Sequence, residues 1–430
     1  MRPRILFVNP PIYDFTAYDF WLKPFGMLTA AAGLRGRADL ALFDYLDRNS
    51  PYGADNAESA SDKWGRGHFQ AQKIDKPIQF ASIPRNYRRF GVMRSHFQDF
   101  LKKNSSFDHV LIQTSMTYWY PGVMEVIEDV RSFLPDASIV LGGTYVGLCP
   151  DHAKTIGADI LISDSDTTYL DSLPPGTSKE YQPPLWELYD KLDVGVIKLT
   201  VGCPYHCTYC GVHLLNTCGF KARPLTECIA DLQMLLSKGV TDIAFYDDAL
   251  LYQPEKVLIP FLEYVISNNI KVNFHTPNAL HVRFITPEIA NIMVRGGFKT
   301  FFLGFESKSA DFHSKTGSKV VSDELVTAAE NLINAGADKK NIATYQIIGH
   351  PNSDMQELEE SMRFVNSLGL KVMLADFSPI PGTPDGDYCQ KYTDLSEPLN
   401  HNKTAFPIIH LGTEKVNHFK SLNKILNRTL

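Results

Sequence analysis

The chain has 430 residues, 44% hydrophobic and 21% charged, with 28 Gly and 26 Pro, a composition that suits two or three globular domains. A formal net charge of −6 argues against a general nucleic-acid-binding surface, and seven cysteines in so long a chain are no disulfide framework. No apolar run approaches the ~18 residues of a membrane span, and the N-terminal MRPRILFVNPPIYDF lacks the apolar core of a signal peptide, so a cytoplasmic, reducing setting is expected.

From the N-terminus, short apolar runs alternate with helical patterns, which predicts parallel α/β architecture. ILFVN (5–9), LALFDY (40–45), HVLIQTS (109–115), SIVLGG (138–143) and DILIS (159–163) are predicted strands, with helices near 24–35, 121–133 and 150–156. Five such strands suit a doubly wound, Rossmann-like domain over 1–163, whose ligand sits beyond the strand C-termini. Residues 46–106 read as a polar insertion, in which Arg85, Arg88, Arg89 and Arg94 either meet an anion or form a solvated helix face. Residues 164–194 carry two Pro-Pro pairs and read as a linker.

A second series occupies 195–384. Strands are predicted at 195–201, 241–247, 271–275, 300–305, 343–348 and 372–377, with helices near 224–238, 254–268, 286–295, 322–335 and 354–368 between them. Six βα steps predict a partial (β/α)6 barrel with its chemistry on the C-terminal rim. Residues 385–430 read as a tail with one helix near 413–427.

The most specific stretch is VGCPYHCTYC, residues 201–210, on the loop that leaves the first barrel strand. There Cys203, Cys207 and Cys210 are spaced CxxxCxxC, and Gly202 and Pro204 let the backbone curl three thiolates around one inorganic centre. Soft thiolates suit iron–sulfur or zinc. A structural zinc needs a fourth ligand, for which His206 and the more distant Cys218 are candidates. Three-cysteine ligation of a 4Fe–4S cluster instead leaves one iron open. Cys149, Cys228 and Cys389 receive no role, and Cys228 falls in a helical pattern typical of core.

With Tyr209 just before the last cysteine, this motif at the head of six βα steps resembles that of the radical S-adenosylmethionine (SAM) superfamily. The resemblance implies a 4Fe–4S cluster on Cys203, Cys207 and Cys210, with SAM chelated at the open iron. One electron would then release a 5′-deoxyadenosyl radical that takes hydrogen from an unactivated carbon. It further implies SAM contacts for Tyr209 and for Asp247 and Asp248 of FYDDAL, which replace the usual Gly-Gly-Glu around the methionine amine. Glu306 and Ser307 of FFLGFES match the place of the ribose or carboxylate contact. Ile347 and Gly349 of ATYQIIGHP match that beside adenine, and Asn278 of HTPNAL lies near the rim. His275 is either a rim residue or a core histidine, and Arg283 either meets the SAM carboxylate or lies on the surface.

RILFVNPPIYDF followed by KPFGMLTAAAGLR resembles the N-terminal domain of the cobalamin-binding, class B methyltransferase-like group of radical SAM enzymes. QTSMTYWYPG, IVLGGTY and SPIPGT (378–383) extend the resemblance to residues 1–45 and 107–384. It implies cobalamin near Pro10, Pro11, Ser115 and Thr117, with Gly142 and Gly143 allowing close backbone approach. Tyr118, Trp119 and Tyr120 would line the corrin or pack between domains. Two departures stand out: no Asp-x-His-x-x-Gly histidine follows the first strand, and SDSD (163–166) replaces an acidic Gly-Glu-rich turn.

The implied reaction is cobalamin-dependent methylation of an unactivated carbon on a small-molecule or peptide substrate, with an external donor such as flavodoxin or ferredoxin. Cyclisation or rearrangement without methyl transfer, with cobalamin absent or used differently, is the enzymatic alternative. A metal-cluster scaffold without turnover is the non-enzymatic one. Neither a membrane nor a nucleic-acid partner is expected.

Overall fold

The apolar runs ILFVN, LALFD, HVLIQT, SIVLGG and ILI become the strands of one parallel sheet in a computed structural model of the chain. The structure describes residues 2–52, 61–163, 168–173, 180–317 and 320–430. Most of the SDSD turn and parts of the expected insertion and linker lie outside them. Two compact units emerge: Met1–Asp193 with Gln233–Val240 and Asp394–Asn402, and Val194–Leu232 with Thr241–Thr393 and Lys403–Leu430. Part of the expected tail thus belongs to the first unit.

In the first unit, strands β1 (Arg4–Asn9), β2 (Asp39–Asp44), β3 (His109–Thr114), β4 (Ser138–Gly143) and β5 (Ile160–Ile162) run parallel in the order β2-β1-β3-β4-β5. This is a doubly wound order, and the winding reverses between β1 and β3, where a crevice opens beyond the strand C-termini. Parallel neighbours need long crossovers, which helices supply. One of them, Arg94–Lys103, lies inside the stretch expected to be a polar insertion. It buries Phe97 and Leu101 against the same core as Val126 and Val130 of the helix Tyr120–Phe133. Each such side chain contributes roughly 1.5–3 kcal/mol of burial.

Two described segments of the insertion join a three-stranded antiparallel sheet, in which Arg88–Phe90 pairs with both Ile12–Asp14 and Ala71–Lys73. Arg89 is buried there and grips Glu125 at 2.7 and 2.8 Å, while Tyr13 donates to the same carboxylate at 2.6 Å. Arg94 pairs with Asp129 and Glu128. Arg89 is therefore neither on a solvated helix face nor offered to an anion; a charge buried this far stays only if its donors are all used, and Arg89 spends another on the Val92 carbonyl at 2.8 Å.

The second unit carries β6 (Val194–Ile197), β7 (Asp242–Phe245), β8 (Asn273–His275), β9 (Phe298–Glu306), β10 (Ile342–Ile348) and β11 (Lys371–Asp376). All six are parallel and adjacent in sequence order, with β6 and β11 at the two ends. The intervening helices bury rows at i, i+3 and i+4 spacing: Phe261, Leu262 and Val265; Ile289, Ala290 and Met293; Leu325, Ala328, Ala329 and Leu332; Leu358, Met362 and Val365. The helix Thr413–Arg428 packs on β11 and ties Lys420 to Asp376 at 2.9 Å. Among the described residues no helix is long and apolar enough to cross a membrane.

Candidate functional site

In the second unit the cysteine loop leaves β6 between two short strands, Thr200–Val201 and Lys221–Ala222, that pair antiparallel and pin both its ends. Gly202 adopts φ +75°, and a Cβ there would lie 2.4 Å from the Gly219 carbonyl and 2.8 Å from Asn216 Nδ2, so the position admits glycine alone. Cys203, Cys207 and Cys210 are free, half-buried thiols, while Cys218 is exposed.

The three thiols feel one another. Burial, then Glu306, Cys210 and Cys203, push the Cys207 thiol up to about 12. Burial foremost, with Cys210 and Asp248 adding, raises Cys203, and burial with Asp248 and Glu306 raises Cys210. Converging thiolates repel, and a cationic inorganic centre removes that penalty by taking the place of the protons. Among the described residues no three His, Cys, Asp or Glu side chains gather around the position of a single metal ion. His206 lies beside His213, with ring centroids 5.9 Å apart and the rings tilted by 41°. The donor set fits a three-thiolate cluster.

Around the thiols the expected SAM residues take different positions. Asp248 is paired with Lys198 at 3.2 Å, and its charge reaches Cys203 and Cys210. Asp247 turns inward: it is buried and its Oδ1 accepts from Leu199 N at 2.9 Å, Thr200 N at 2.6 Å and Thr200 Oγ1 at 2.6 Å. Burial pushes that carboxyl up to about 6 against the pull of Thr200 and Lys198. Asn278 donates to the Asp247 carbonyl at 3.1 Å. Glu306 sits at a bulge in β9 with φ 54°, and its charge reaches Cys207, Tyr209 and Cys210. A left-handed conformation in a non-glycine residue costs about 1–3 kcal/mol, and here it accompanies a carboxylate beside the thiols. Tyr209 hydrogen-bonds Cys207.

Ser307 is a turn residue: its Oγ accepts from Ser309 N at 3.1 Å and its carbonyl meets His313 Nε2 at 2.5 Å. Ile347 is half-buried on β10. At Gly349, φ +86°, a Cβ would come within 2.6 Å of Pro407 Cβ, so the packing of Pro407 requires glycine there. His275 is a core residue, satisfied by Thr300 Oγ1 at 3.0 Å and Asp242 Oδ1 at 3.1 Å, and Arg283 pairs with Glu324. Sequence reasoning missed Thr208, His350 and Asp385, which meet behind the loop. The only local hints are a histidine directly after Gly349 and an aspartate just past SPIPGT.

In the first unit a narrow cleft opens at the β1–β3 reversal, lined among others by Asn9, Pro10, Pro11, Ser115, Trp119, Tyr120 and Tyr145. Pro10, Pro11 and Ser115 are thus brought together. The Thr117 hydroxyl is engaged by His401 Nδ1 at 2.9 Å, and His401 Nε2 meets the Leu395 carbonyl at 2.9 Å. Gly143, φ +112°, allows a close approach of the Thr114 carbonyl, 2.2 Å from where a Cβ would lie, and Gly142 faces Ile162 of β5. Tyr118 is buried, and Trp119 Nε1 donates to Asp14 Oδ2 at 2.9 Å. The cleft holds about 10 Å³ of accessible space, far below the roughly 300–1,000 Å³ of a ligand pocket. Its neutral prolines, hydroxyls and rings fit the edge of a large macrocycle, one it would not enclose.

A three-thiol loop at the head of six parallel βα steps is the arrangement of a radical SAM domain. Residues 197–365 match the model of the radical SAM superfamily, and the domain they form belongs to it. Over 283 residues the chain is 23% identical to threonylcarbamoyladenosine tRNA methylthiotransferase MtaB of Thermotoga maritima, covering 61% of this chain and 64% of that protein. Over 219 residues it is 24% identical to bacteriochlorophyllide d C-12(1)-methyltransferase of Chlorobaculum tepidum, covering 49% of this chain and 45% of the other. The chain therefore spans about half to two thirds of the length of these curated relatives. The fold resembles that of the radical SAM methyltransferase TsrM of Kitasatospora setae, solved with cobalamin and a [4Fe-4S] cluster. That match has a TM-score of 0.64 at 12% identity, over 94% of this chain and 85% of the other.

Proposed function

We propose that the chain is a radical SAM enzyme that holds a 4Fe–4S cluster on Cys203, Cys207 and Cys210 and cleaves SAM reductively, most simply for cobalamin-dependent methylation of an unactivated carbon. The observation that carries this reading is that one loop, leaving the first of six parallel strands, holds three free, half-buried thiols, with the carboxylates of Asp248 and Glu306 within electrostatic reach. When bound, the cluster supplies the electron that breaks a SAM carbon–sulfur bond, and cobalamin supplies a carrier for a methyl group.

The chain's own residues do the rest. Asp248, held by Lys198, and Glu306 place negative charge beside the cluster loop, which suits the ammonium of the SAM methionine part. Asp247 braces the exit of β6 through the Leu199 and Thr200 amides. Asn278 fixes the Asp247 backbone from the β8 side. In the first unit, Pro10, Pro11 and Ser115 would meet the corrinoid edge. The substrate is a small molecule or peptide carbon, and the electron comes from an external flavodoxin- or ferredoxin-type donor.

A second reading keeps the radical chemistry but drops methylcobalamin, and one observation favours it: the Thr117 hydroxyl is already engaged by His401. Anaerobic reconstitution with iron, sulfide and hydroxocobalamin, desalting, and turnover of SAM under a reductant separates the two. Four irons, one corrin and both 5′-deoxyadenosine and S-adenosylhomocysteine support methyl transfer. Iron and 5′-deoxyadenosine without corrin support the second reading, and absence of all three overturns both.

A further inference from the structure

We infer that Asp385 and His350 form a positioning pair that grips Thr208 and through it sets Cys207 and Cys210 in the geometry of the cluster site. The inference rests on the reading that these cysteines hold a cluster. Between Cys207 and Cys210 the backbone is a single turn, closed by Cys210 N donating to the Cys207 carbonyl at 3.0 Å. Tyr209 bonds the Cys207 thiol and the Val212 backbone bonds that of Cys210, and the middle of the turn, at Thr208, is held from outside.

Thr208 is held on three sides. Its N–H donates to the Thr316 carbonyl at 3.1 Å, its carbonyl accepts from Asp385 N at 3.0 Å, and its hydroxyl donates to Asp385 Oδ2. The last two contacts come from one residue 177 positions downstream, which clasps the threonine by backbone and side chain together. Asp385 is itself held in place by a bonded turn. It lies in the turn where Thr383 Oγ1 accepts from Gly386 N at 3.1 Å and donates to the Ile380 carbonyl at 2.7 Å. A Cβ on Gly386 would fall 1.8 Å from that same carbonyl, so the turn has one tight form.

His350 completes the grip. It is fully buried, with Phe312 and Phe377 against it at ring distances of 5.1 and 4.8 Å and Tyr209 edge-on at 6.0 Å. Its Nδ1 accepts from Asn352 N at 3.1 Å, which leaves Nε2–H to donate to Asp385 Oδ2 at 2.9 Å. Burial alone would raise the Asp385 carboxyl, but the His350 and Thr208 hydrogen bonds outweigh it and hold the group below the usual carboxylate range. A buried carboxylate with its donors in place is rigid, whereas one that loses them is costly. Residues that orient metal ligands from behind in this manner are typically worth about 10–100-fold in metal affinity.

The test uses the full chain, reconstituted anaerobically with iron and sulfide, as wild type and as Thr208→Val, Thr208→Ser and Asp385→Asn. Thermal melting before loading verifies folding. The readouts are the rate of iron release to a chelator and the electron paramagnetic resonance spectrum of the reduced cluster. Thr208→Val and Asp385→Asn are expected to release iron about tenfold faster or more and to show an altered spectrum, while Thr208→Ser keeps wild-type behaviour. Should Asp385→Asn fail to fold, the near-isosteric Thr208→Val decides. Wild-type release and spectra in Thr208→Val, or loss in Thr208→Ser equal to that in Thr208→Val, overturn the positioning pair alone. A wild-type chain that takes up no iron overturns the cluster reading and this inference with it.

Discussion

The cysteine rim of the second unit carries ionisable side chains, whereas the cleft beyond β1 and β3 in the first unit is lined by neutral ones. Beyond β6, β7 and β9 stand three thiols, Asp248 with its Lys198 partner, and Glu306. Beyond β1 and β3 stand two prolines, Ser115 and a group of aromatic rings. Both rims lie at the C-terminal ends of parallel strands, where such sheets bind ligands, so the architecture does not distinguish them. The side chains do: one rim is built to neutralise a charged centre, the other to accept apolar and hydrogen-bonding surface.

That contrast can be broken by substitution. The largest effect is expected from Cys203→Ala, Cys207→Ala or Cys210→Ala, each of which should reduce bound iron to background and abolish SAM cleavage while leaving corrin binding intact. Metal and corrin quantification on one sample checks both halves. A variant that retained full iron would remove that cysteine from the donor set.

Two glycines sharpen the comparison next. Gly202→Ala drives a methyl group into the Gly219 carbonyl at a positive φ, and Gly143→Ala does the same against the Thr114 carbonyl. Strain of about 1–3 kcal/mol or more is expected in each. Gly202→Ala should lose iron and keep corrin, and Gly143→Ala the reverse. Equal losses of both groups from either variant would show that the rims are not independent.

A smaller effect is expected at the carboxylates. Glu306→Gln and Asp248→Asn remove charge facing the thiols, and each should weaken SAM binding to the loaded chain about tenfold, the value of one charged hydrogen bond of roughly 1.5 kcal/mol. Calorimetric titration checks this, and unchanged affinity would assign these charges to the loop alone.

The smallest effect is a pH dependence from Asp247. Its folded-state carboxyl lies at about 6, above the ordinary value of 3.8. The folded chain therefore binds this proton more tightly than the unfolded one, and stability from this group grows as pH falls from about 6 toward 4. At pH 7 the buried charge is a cost. Among the described residues Asp247 Oδ2 has no hydrogen-bond partner, so an asparagine amide can stand there while its oxygen keeps the Leu199 and Thr200 bonds. Asp247→Asn should raise the melting temperature at pH 7, with the advantage shrinking toward pH 4. Weakened SAM binding in the same variant would instead return Asp247 to the SAM site.

Much of this chemistry is written locally. The α/β class follows from apolar runs alternating with helical rows, and the radical SAM motif from three cysteines within residues 203–210. Other features needed the folded chain. The helix Arg94–Lys103 hides in a polar stretch because only Phe97, Phe100 and Leu101 mark its buried side. At FYDDAL two adjacent aspartates are offered, but side chains alternate sides at a strand end, so only one stays with the thiols. Composition does not say which; the Leu199 and Thr200 amides claim Asp247 and leave Asp248.

Thr208 with Asp385, and Thr117 with His401, lie 177 and 284 positions apart, and no spacing rule links them. By itself, then, the sequence determined what kind of centre this protein is made for, because ligand type and spacing are properties of a few consecutive residues. Only the tertiary structure decided which polar side chains face that centre and which brace it from behind. A hydrogen bond depends on where two chain segments end up in space, and that is set by the packing of the whole sheet.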